Sequence, residues 1–305
     1  MRDRFVRTLH ACAKTDPRLI LVTGDLGFGV LTEYAKQLPA QFLNAGVAEQ
    51  SMTALATGLA LEGRVAFTYS IANFPTLRCL EQIRNDAAYH DANVNVVSIG
   101  GGFSYGALGM SHHATEDLAI MRAIPQVTVV SPGCLWETEQ ATRALIETPG
   151  TGYLRLDKSH AGETGGDGEL FELGKPRLLR GGADVTVLTT GGVLGEVLEA
   201  EAALREGGIG CDVFSCHTLK PFQAEGVLTS ANATGRVVCI EEHIASGGLS
   251  GLIAETLLEA GVSLRWFKRI GITGGFCSEV GSQPYLRRRY GLDAASIVSA
   301  VRGWV

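Results

Sequence analysis

A chain of 305 residues with 46% hydrophobic and 19% charged side chains carries enough apolar surface for a large buried core, which excludes an extended disordered protein. Its net charge of −6, with no basic block beyond Arg287-Arg288-Arg289, argues against a nucleic-acid partner. No stretch approaches the roughly 18 uninterrupted apolar residues of a membrane span, and Met1-Arg2-Asp3-Arg4-Phe5 lacks the apolar core of a signal peptide. The seven cysteines form no Cys-x-x-Cys and are odd in number. Several stand in apolar runs such as Val237-Val238-Cys239-Ile240, so they read as buried reduced thiols of a cytoplasmic protein and not as a disulfide frame or a zinc site.

Short apolar runs alternate with helical patterns from end to end. Leu19-Ile20-Leu21-Val22-Thr23 predicts a strand that stops at Gly24-Asp25. Further strands are predicted at Val65-Ala66-Phe67-Thr68-Tyr69, Val94-Asn95-Val96-Val97-Ser98 and Val127-Thr128-Val129-Val130, with a helix over 76–88. Residues 157–169 shift to Gly, Asp, Glu and Ser and read as a linker. The alternation then restarts: strands at Val185-Thr186-Val187-Leu188-Thr189, Cys211-Asp212-Val213-Phe214 and Arg236-Val237-Val238-Cys239-Ile240, and helices over 195–205, 252–260 and 294–302. Such alternation predicts an α/β protein of two domains, each a mostly parallel sheet flanked by helices. The boundaries are placed at 1–156 and 175–305, with 157–174 between them.

In Leu43-Asn44-Ala45-Gly46-Val47-Ala48-Glu49-Gln50 one acid follows a glycine turn and opens a helix of small and apolar residues. A carboxylate held against apolar neighbours is costly to ionise, so its pKa is expected to rise, as general acid/base work near neutral pH requires. The competing reading is an acid favoured at a helix N-terminus by the dipole. Parallel sheets gather ligands at the carboxyl ends of their strands. Asp25, residues 70–74 and the loop 100–113 all fall at such ends, and this convergence favours a site at Glu49.

Gly24-Asp25-Leu26, Asn44-x-Gly46-Val47-Ala48-Glu49-Gln50, Ser70-Ile71-Ala72-Asn73-Phe74 and Ser111-His112-His113 occur in that order. Together they resemble the pyrimidine-binding domain of the transketolase family of thiamine-diphosphate enzymes. The second half, with Glu241-Glu242-His243 and the Gly-Gly-Leu-Ser-Gly stretch after it, resembles that family's C-terminal domain. The resemblance implies that Glu49 hydrogen-bonds the cofactor's aminopyrimidine and promotes its activation, while the cofactor carries the hard chemistry. It further implies Phe74 and Ile71 as walls for the pyrimidine, although either could be plain core. Asp25 is implied as an acid near the cofactor, against a turn or cap role. His112 is implied near cofactor and substrate. Arg2 and Arg155 match sugar-phosphate positions, with surface ion pairing as the alternative. His113 replaces a frequent Gln and its role is open. A metal pair at His112-His113 is a poor reading, because adjacent side chains do not converge in a strand or helix.

The family anchors the diphosphate and Mg²⁺ through Gly-Asp-Gly and a following Asn in a separate domain, and Mg²⁺ is usually held by few protein oxygens plus phosphates. Gly166-Asp167-Gly168 lies in the linker, with no strand before it and no suitably spaced Asn after it, and is rejected as a chance match. The resemblance therefore implies a two-chain enzyme. An N-terminal partner subunit would hold the thiamine diphosphate's diphosphate and Mg²⁺, and the pairs would associate as a heterotetramer acting on a small-molecule sugar. The substrate loop departs from the family pattern Gly-Glu-Asp-Gly-x-[ST]-His-Gln: here it reads Gly106-Ala107-Leu108-Gly109-Met110-Ser111-His112-His113. Leu108 stands where an acid meets a ketose hydroxyl, and Gly100 where a phosphate-binding histidine stands. A hydroxyl left without a partner costs about 1–3 kcal/mol, so a non-standard sugar is expected for ketol or acyl transfer. The beta chain of a 2-oxo-acid dehydrogenase's decarboxylating component and a non-catalytic assembly subunit are the alternatives.

Overall fold

A computed structural model describes residues 1–166 and 168–305; Asp167, the middle residue of the Gly-Asp-Gly triplet, lies outside the described residues. Twelve strands run in chain order: β1 (Leu19–Thr23), β2 (Phe42–Asn44), β3 (Val65–Ile71), β4 (Val94–Ile99), β5 (Val127–Val130), β6 (Thr151–Leu156), β7 (Arg177–Arg180), β8 (Val185–Thr190), β9 (Cys211–Ser215), β10 (Thr218–Lys220), β11 (Arg236–Ile244) and β12 (Trp266–Ile272). They form a seven-stranded sheet of order β10-β5-β6-β4-β3-β1-β2 and a five-stranded sheet of order β12-β11-β8-β9-β7. Pairing is parallel except at β10 on β5 and β7 on β9. The two mostly parallel sheets flanked by helices are those expected from the alternating pattern.

Both faces of the first sheet are covered, as near-continuous apolar strands require. Successive residues of β1 show it: Ile20 and Val22 belong to one core cluster, Leu19 and Leu21 to another on the opposite face. The first of these clusters continues into the second sheet through Leu188, Phe214 and Cys239, so one apolar core spans both sheets. β10 reinforces that union: it follows β9 of the second sheet but pairs with β5 of the first. β2, β6, β7, β10 and β12 were not among the strands expected; β2 and β10, at three residues each, are too short to show alternation. The helix expected over 76–88 is a 3₁₀ turn, Leu77–Cys79, followed by a π-helix, Gln82–Ala88. Its wide turns bury Ile83, Ala87 and Ala88 together against the core. The described cysteines are free thiols, six of them buried, and burial pushes the Cys211 thiol up to about 12. No helix among the described residues is long and apolar enough to cross a membrane.

At the carboxyl end of β6 lies Arg155, fully buried. Its guanidinium faces Asp117 at 3.2 Å and Asp157 at 3.7 Å. It also donates to the carbonyls of Ala114 (3.1 Å) and Glu242 (2.9 Å). Burial alone would make its charge unfavourable, yet the carboxylates of Asp117 and Asp157 outweigh that and hold its pKa above the ordinary value. Breaking a buried ion pair from one side strands the other charge. Arg155→Met should therefore lower stability by about 3–5 kcal/mol, read as a fall in the urea midpoint with an unchanged slope. A midpoint within a few tenths molar of wild type would show that the network is not holding the sheets.

Candidate active site

The carboxyl edge of the first sheet is built from tight turns. After β2, Asn44 Oδ1 accepts from the backbone N–H of Asp25 (2.9 Å) and Gly46 (3.0 Å), and Asn44 Nδ2 donates to Asp25 Oδ1 (2.9 Å). Asp25 and Gly46 both have positive φ, 57° and 74°, a region where Gly is at ease and Asp is tolerated. Asp25 thus shapes the turn that delivers Glu49 to the start of the helix Glu49–Leu61.

Glu49 is 4% exposed but is not solitary among apolar groups, as its sequence context suggested. Arg78 Nη1 donates to Glu49 Oε2 at 2.7 Å. The same guanidinium lies 4.5 Å from the centre of the Phe74 ring. The compensating charge arrives from the segment after β3, 29 residues away in sequence, which is why the helix alone could not reveal it. A planar, donor-bearing cation stacked on Phe74 and bonded to Glu49 is also a test of fit: the two side chains together accept a flat group that hydrogen-bonds at its edge. Ile71, the last residue of β3, is partly buried beside this turn.

The turn after β3 holds the next piece. Ala72 adopts φ 46° and is pinned between Ile99 O and Ser98 Oγ. Asn73 Nδ2 then donates to the carbonyls of His113 (2.9 Å) and Ser111 (3.3 Å). This bond draws the 100–113 loop over the site. His112 meets Phe74 edge-on, ring centres 5.1 Å apart, with Nδ1 at 3.0 Å from Ser111 Oγ. Partial burial, and then the neighbouring His113, lower the His112 pKa from the ordinary value. His113 is buried, with Nε2 3.2 Å from the Gly106 carbonyl, and closes the loop internally. Leu108 and Met110 are 56% and 57% exposed on the outer face of that loop.

A second cluster of charge continues the line. Tyr105 lies 6.2 Å from His112, ring to ring, and Lys158 Nζ sits 3.6 Å above the Tyr105 ring. Tyr105 and Lys158 border a cavity of about 400 Å³ with Arg2, Arg4, Arg7 and His160. Arg2 pairs with its neighbour Asp3 at 2.8 Å. Burial and the charge of Arg2 lower the Lys158 pKa. Arg155 does not reach this cavity's surface, being enclosed in its own network. Lys158, which sequence reasoning missed, stands there instead. The signal was available: Arg155 lies inside β6, whereas Lys158 lies just beyond its carboxyl end, where ligands gather. A side chain at Gly100 would collide with the Tyr105 ring, so the missing histidine is excluded by an aromatic that took its space. A larger cavity, about 550 Å³, borders Arg177, Asp212 and Ser230 at the outer edge of the second sheet and shares none of these residues. Among the described residues no group of three or more His, Cys, Asp or Glu side chains could hold a metal ion.

A two-domain parallel α/β protein with a buried acid, a facing ring and a histidine at one sheet edge defines a class of cofactor-binding enzyme folds. Within that class, residues 1–163 match the transketolase pyrimidine-binding domain and residues 174–297 the transketolase C-terminal domain. The chain is 37% identical to the 6-deoxy-6-sulfo-D-fructose transketolase subunit SqwH of a Clostridium species, over 98% of this chain and 92% of that protein. It is 34% identical to an apulose-4-phosphate transketolase subunit of Phocaeicola vulgatus, over 97% and 94%. A solved split gene transketolase, an inactive beta4 tetramer, superimposes with TM-score 0.88 at 32% identity, over 99% of this chain and 96% of that one. The chain belongs to the transketolase family.

The lowered pKa of His112 has a definite sign. Its neutral form is favoured by the fold, so its contribution to stability is present above the ordinary value of 6.5 and is lost as pH falls through the lower folded value. In an NMR titration of the free chain, His112 should titrate below 6.5, and His113→Asn should move it part of the way back. A midpoint at or above 6.5 would contradict the burial of this ring.

Proposed function

We propose that this chain is the C-terminal subunit of a two-component, thiamine-diphosphate-dependent transketolase-like enzyme, transferring a two-carbon ketol unit on an anionic, non-standard sugar. The observation that carries this reading is the convergence of Glu49, Phe74 and His112 from three separate strand ends. Membership of the transketolase family and the subunit names of the similar proteins support it. Thiamine diphosphate, when bound, supplies the electron sink that lets the bond beside a ketose carbonyl break and re-form. Glu49 would hold the cofactor's pyrimidine at its carboxylate oxygens and keep a proton at that edge, with Phe74 and Ile71 as its walls and Asp25 shaping the entry turn. Arg78 is half exposed, so a ring that takes its place on Phe74 can release it to solvent. The cofactor's diphosphate and Mg²⁺ are assigned to an N-terminal partner chain, and the pairs to a heterotetramer, in the cytoplasm.

His112, tethered at Nδ1 by Ser111, is left with Nε2 to exchange a proton with a substrate hydroxyl. Arg2 and Lys158 would bind the acidic end of the sugar. Each of the two related proteins is named for a ketose bearing an acidic group, a sulfonate in one and a phosphate in the other, and a cavity in which Arg7 and Lys158 stand beside the Arg2–Asp3 pair offers cations for that chemistry. Leu108, exposed on the loop, presents an apolar side chain where the family pattern has an acid, so the loop offers no carboxylate to a substrate hydroxyl at that point. Arg155 serves by position, holding Asp157 and the strand end that carries Lys158.

Reconstitution with the N-terminal partner, thiamine diphosphate and Mg²⁺ tests both halves. Glu49→Gln should leave assembly intact by size-exclusion chromatography and lower kcat by about 10²–10⁴-fold. Turnover near the wild-type rate would remove Glu49 from the chemistry. Lys158→Met should raise KM for a ketose phosphate by about tenfold or more, from the loss of a charge-assisted contact worth about 1.5–3 kcal/mol. An unchanged KM would place the anion elsewhere.

A further inference from the structure

Glu241-Glu242-His243 is a run of three buried ionisable residues on β11, and the proposed chemistry uses none of them. Glu241 stays within its own domain, capping the helix Leu249–Glu259 through the N–H groups of Leu249 (2.7 Å) and Ser250 (2.8 Å). Glu242 points the other way, as alternation along a strand requires, and crosses to the first domain. Its Oε1 accepts from the Phe103 backbone N–H at 2.6 Å and from Gln283 Nε2 at 2.9 Å. Its Oε2 accepts from Arg287 Nε at 2.5 Å.

Phe103 opens the loop that carries Leu108, His112 and His113. The base of that loop is closed by paired backbone bonds between Gly102 and Ala114. From the first domain, Asn73 holds the far side of the loop at His113 and Ser111, and the Lys158 N–H donates to Ser104 Oγ (3.1 Å); the loop's remaining anchors come from the second domain. The Phe103 ring is fully buried in the second domain's core, among Val187, Ile240 and Leu286. The Gly281 N–H donates to the Gly106 carbonyl at 3.2 Å, and that carbonyl also faces His113 Nε2. A side chain at Gly102 would press on Glu242, its Cβ lying 2.5 Å from Oε1. The loop backbone and the carboxylate are therefore in direct apposition.

We propose that Glu242 is a positioning residue for the reaction: from the C-terminal domain it fixes the backbone at Phe103 and thereby sets the place of the loop that bears His112. The C-terminal domain then has a stated part in the chemistry, as the rigid wall against which the substrate loop is registered. A charged acceptor suits the task. It binds a backbone N–H more strongly than a neutral one does, and the bond from Arg287 Nε to Oε2 fixes its orientation. This assignment of a catalytic part rests on the function proposed above; the clamp itself does not.

Hydrogen–deuterium exchange on the full chain measures the clamp directly. In Glu242→Ala, amides of residues 102–114 should exchange about tenfold faster or more, reflecting loss of one charge-assisted bond, while β8 and β9 keep wild-type protection. Glu242→Gln retains an acceptor oxygen for Phe103 and should recover part of the protection. Gln283→Ala, a milder change outside the β11 core, should loosen the same residues to a smaller extent. In the reconstituted enzyme, Gln283→Ala should raise KM for a ketose phosphate more than it lowers kcat. Unchanged exchange in the loop would overturn the proposal. So would an increase shared equally by β8 and β9, or a loosened loop with unchanged KM and kcat. A wild-type pair without ketol transfer would count against the proposed function, while the exchange result would still decide whether the clamp exists.

Discussion

The Arg155 guanidinium has no access to water, and the ligand edge of the molecule is arranged around that constraint. A buried charge is tolerated only when opposite charges and carbonyl oxygens replace its hydration. Here the replacements are Asp117, Asp157 and the carbonyls of Ala114 and Glu242. They come from the helix before β5, the exit of β6, the foot of the substrate loop and the middle of β11. One ion thus ties together segments of both sheets, and none can move without stranding a charge. Close approach forces the local sequence: a side chain at Gly101 would collide with Arg155 and Asp157, and one at Gly191 would meet Asp157 and Ser131.

From that fixed point the site runs along the sheet edge as a line of contacts. Glu49 pairs with Arg78, Arg78 stacks on Phe74, Phe74 meets His112, His112 meets Tyr105, and Tyr105 lies under Lys158. One end offers a buried acid and a flat aromatic face. The other offers a cavity whose wall carries Arg2, Arg4, Arg7, Lys158 and His160 together with Asp3 and Asp157. The chain as a whole is negative by six charges, yet this cavity wall gathers three arginines and a lysine against two aspartates. Such clefts draw acidic small molecules more effectively than net charge suggests.

Much of this was legible in the sequence. Strands such as β1 and β5 show as apolar runs because both faces of a parallel sheet are buried, and the Glu49, Phe74 and His112 motifs fall at strand ends by simple order. What could not be read is side-chain pairing across sequence distance. Nothing near Glu49 announces Arg78, and nothing near Phe103 announces Glu242, 139 residues away. Arg155 shows the reverse problem. Its residue type suggests a phosphate ligand, but its place inside β6 makes it the centre of a buried network, and three residues later Lys158 reaches the cavity. Short strands such as β10 were invisible because three residues carry no period, and their pairing is decided by the sheet edge they meet.

The changes in the substrate loop gain a common cause from this geometry. Taken singly, Gly100 for histidine and Leu108 for an acid are losses of polar contacts. In the structure they belong to one rearrangement. The Tyr105 ring fills the space beside Gly100, which must then be glycine both for its φ of 101° and for want of room. The same ring supports Lys158 by a cation–π contact, and that contact gains strength where water is partly excluded. A cation arriving from the end of β6 can thus serve where a histidine after β4 cannot stand. Under the proposed function, an acidic group would be gripped from a different direction, and the hydroxyl contact at residue 108 would be given up. On that proposal, the substrate is a ketose whose acidic end is held firmly and whose carbon chain offers fewer hydroxyls to the loop. The rearrangement is confined to this end of the line, and the Glu49–Arg78–Phe74 contacts lie outside it.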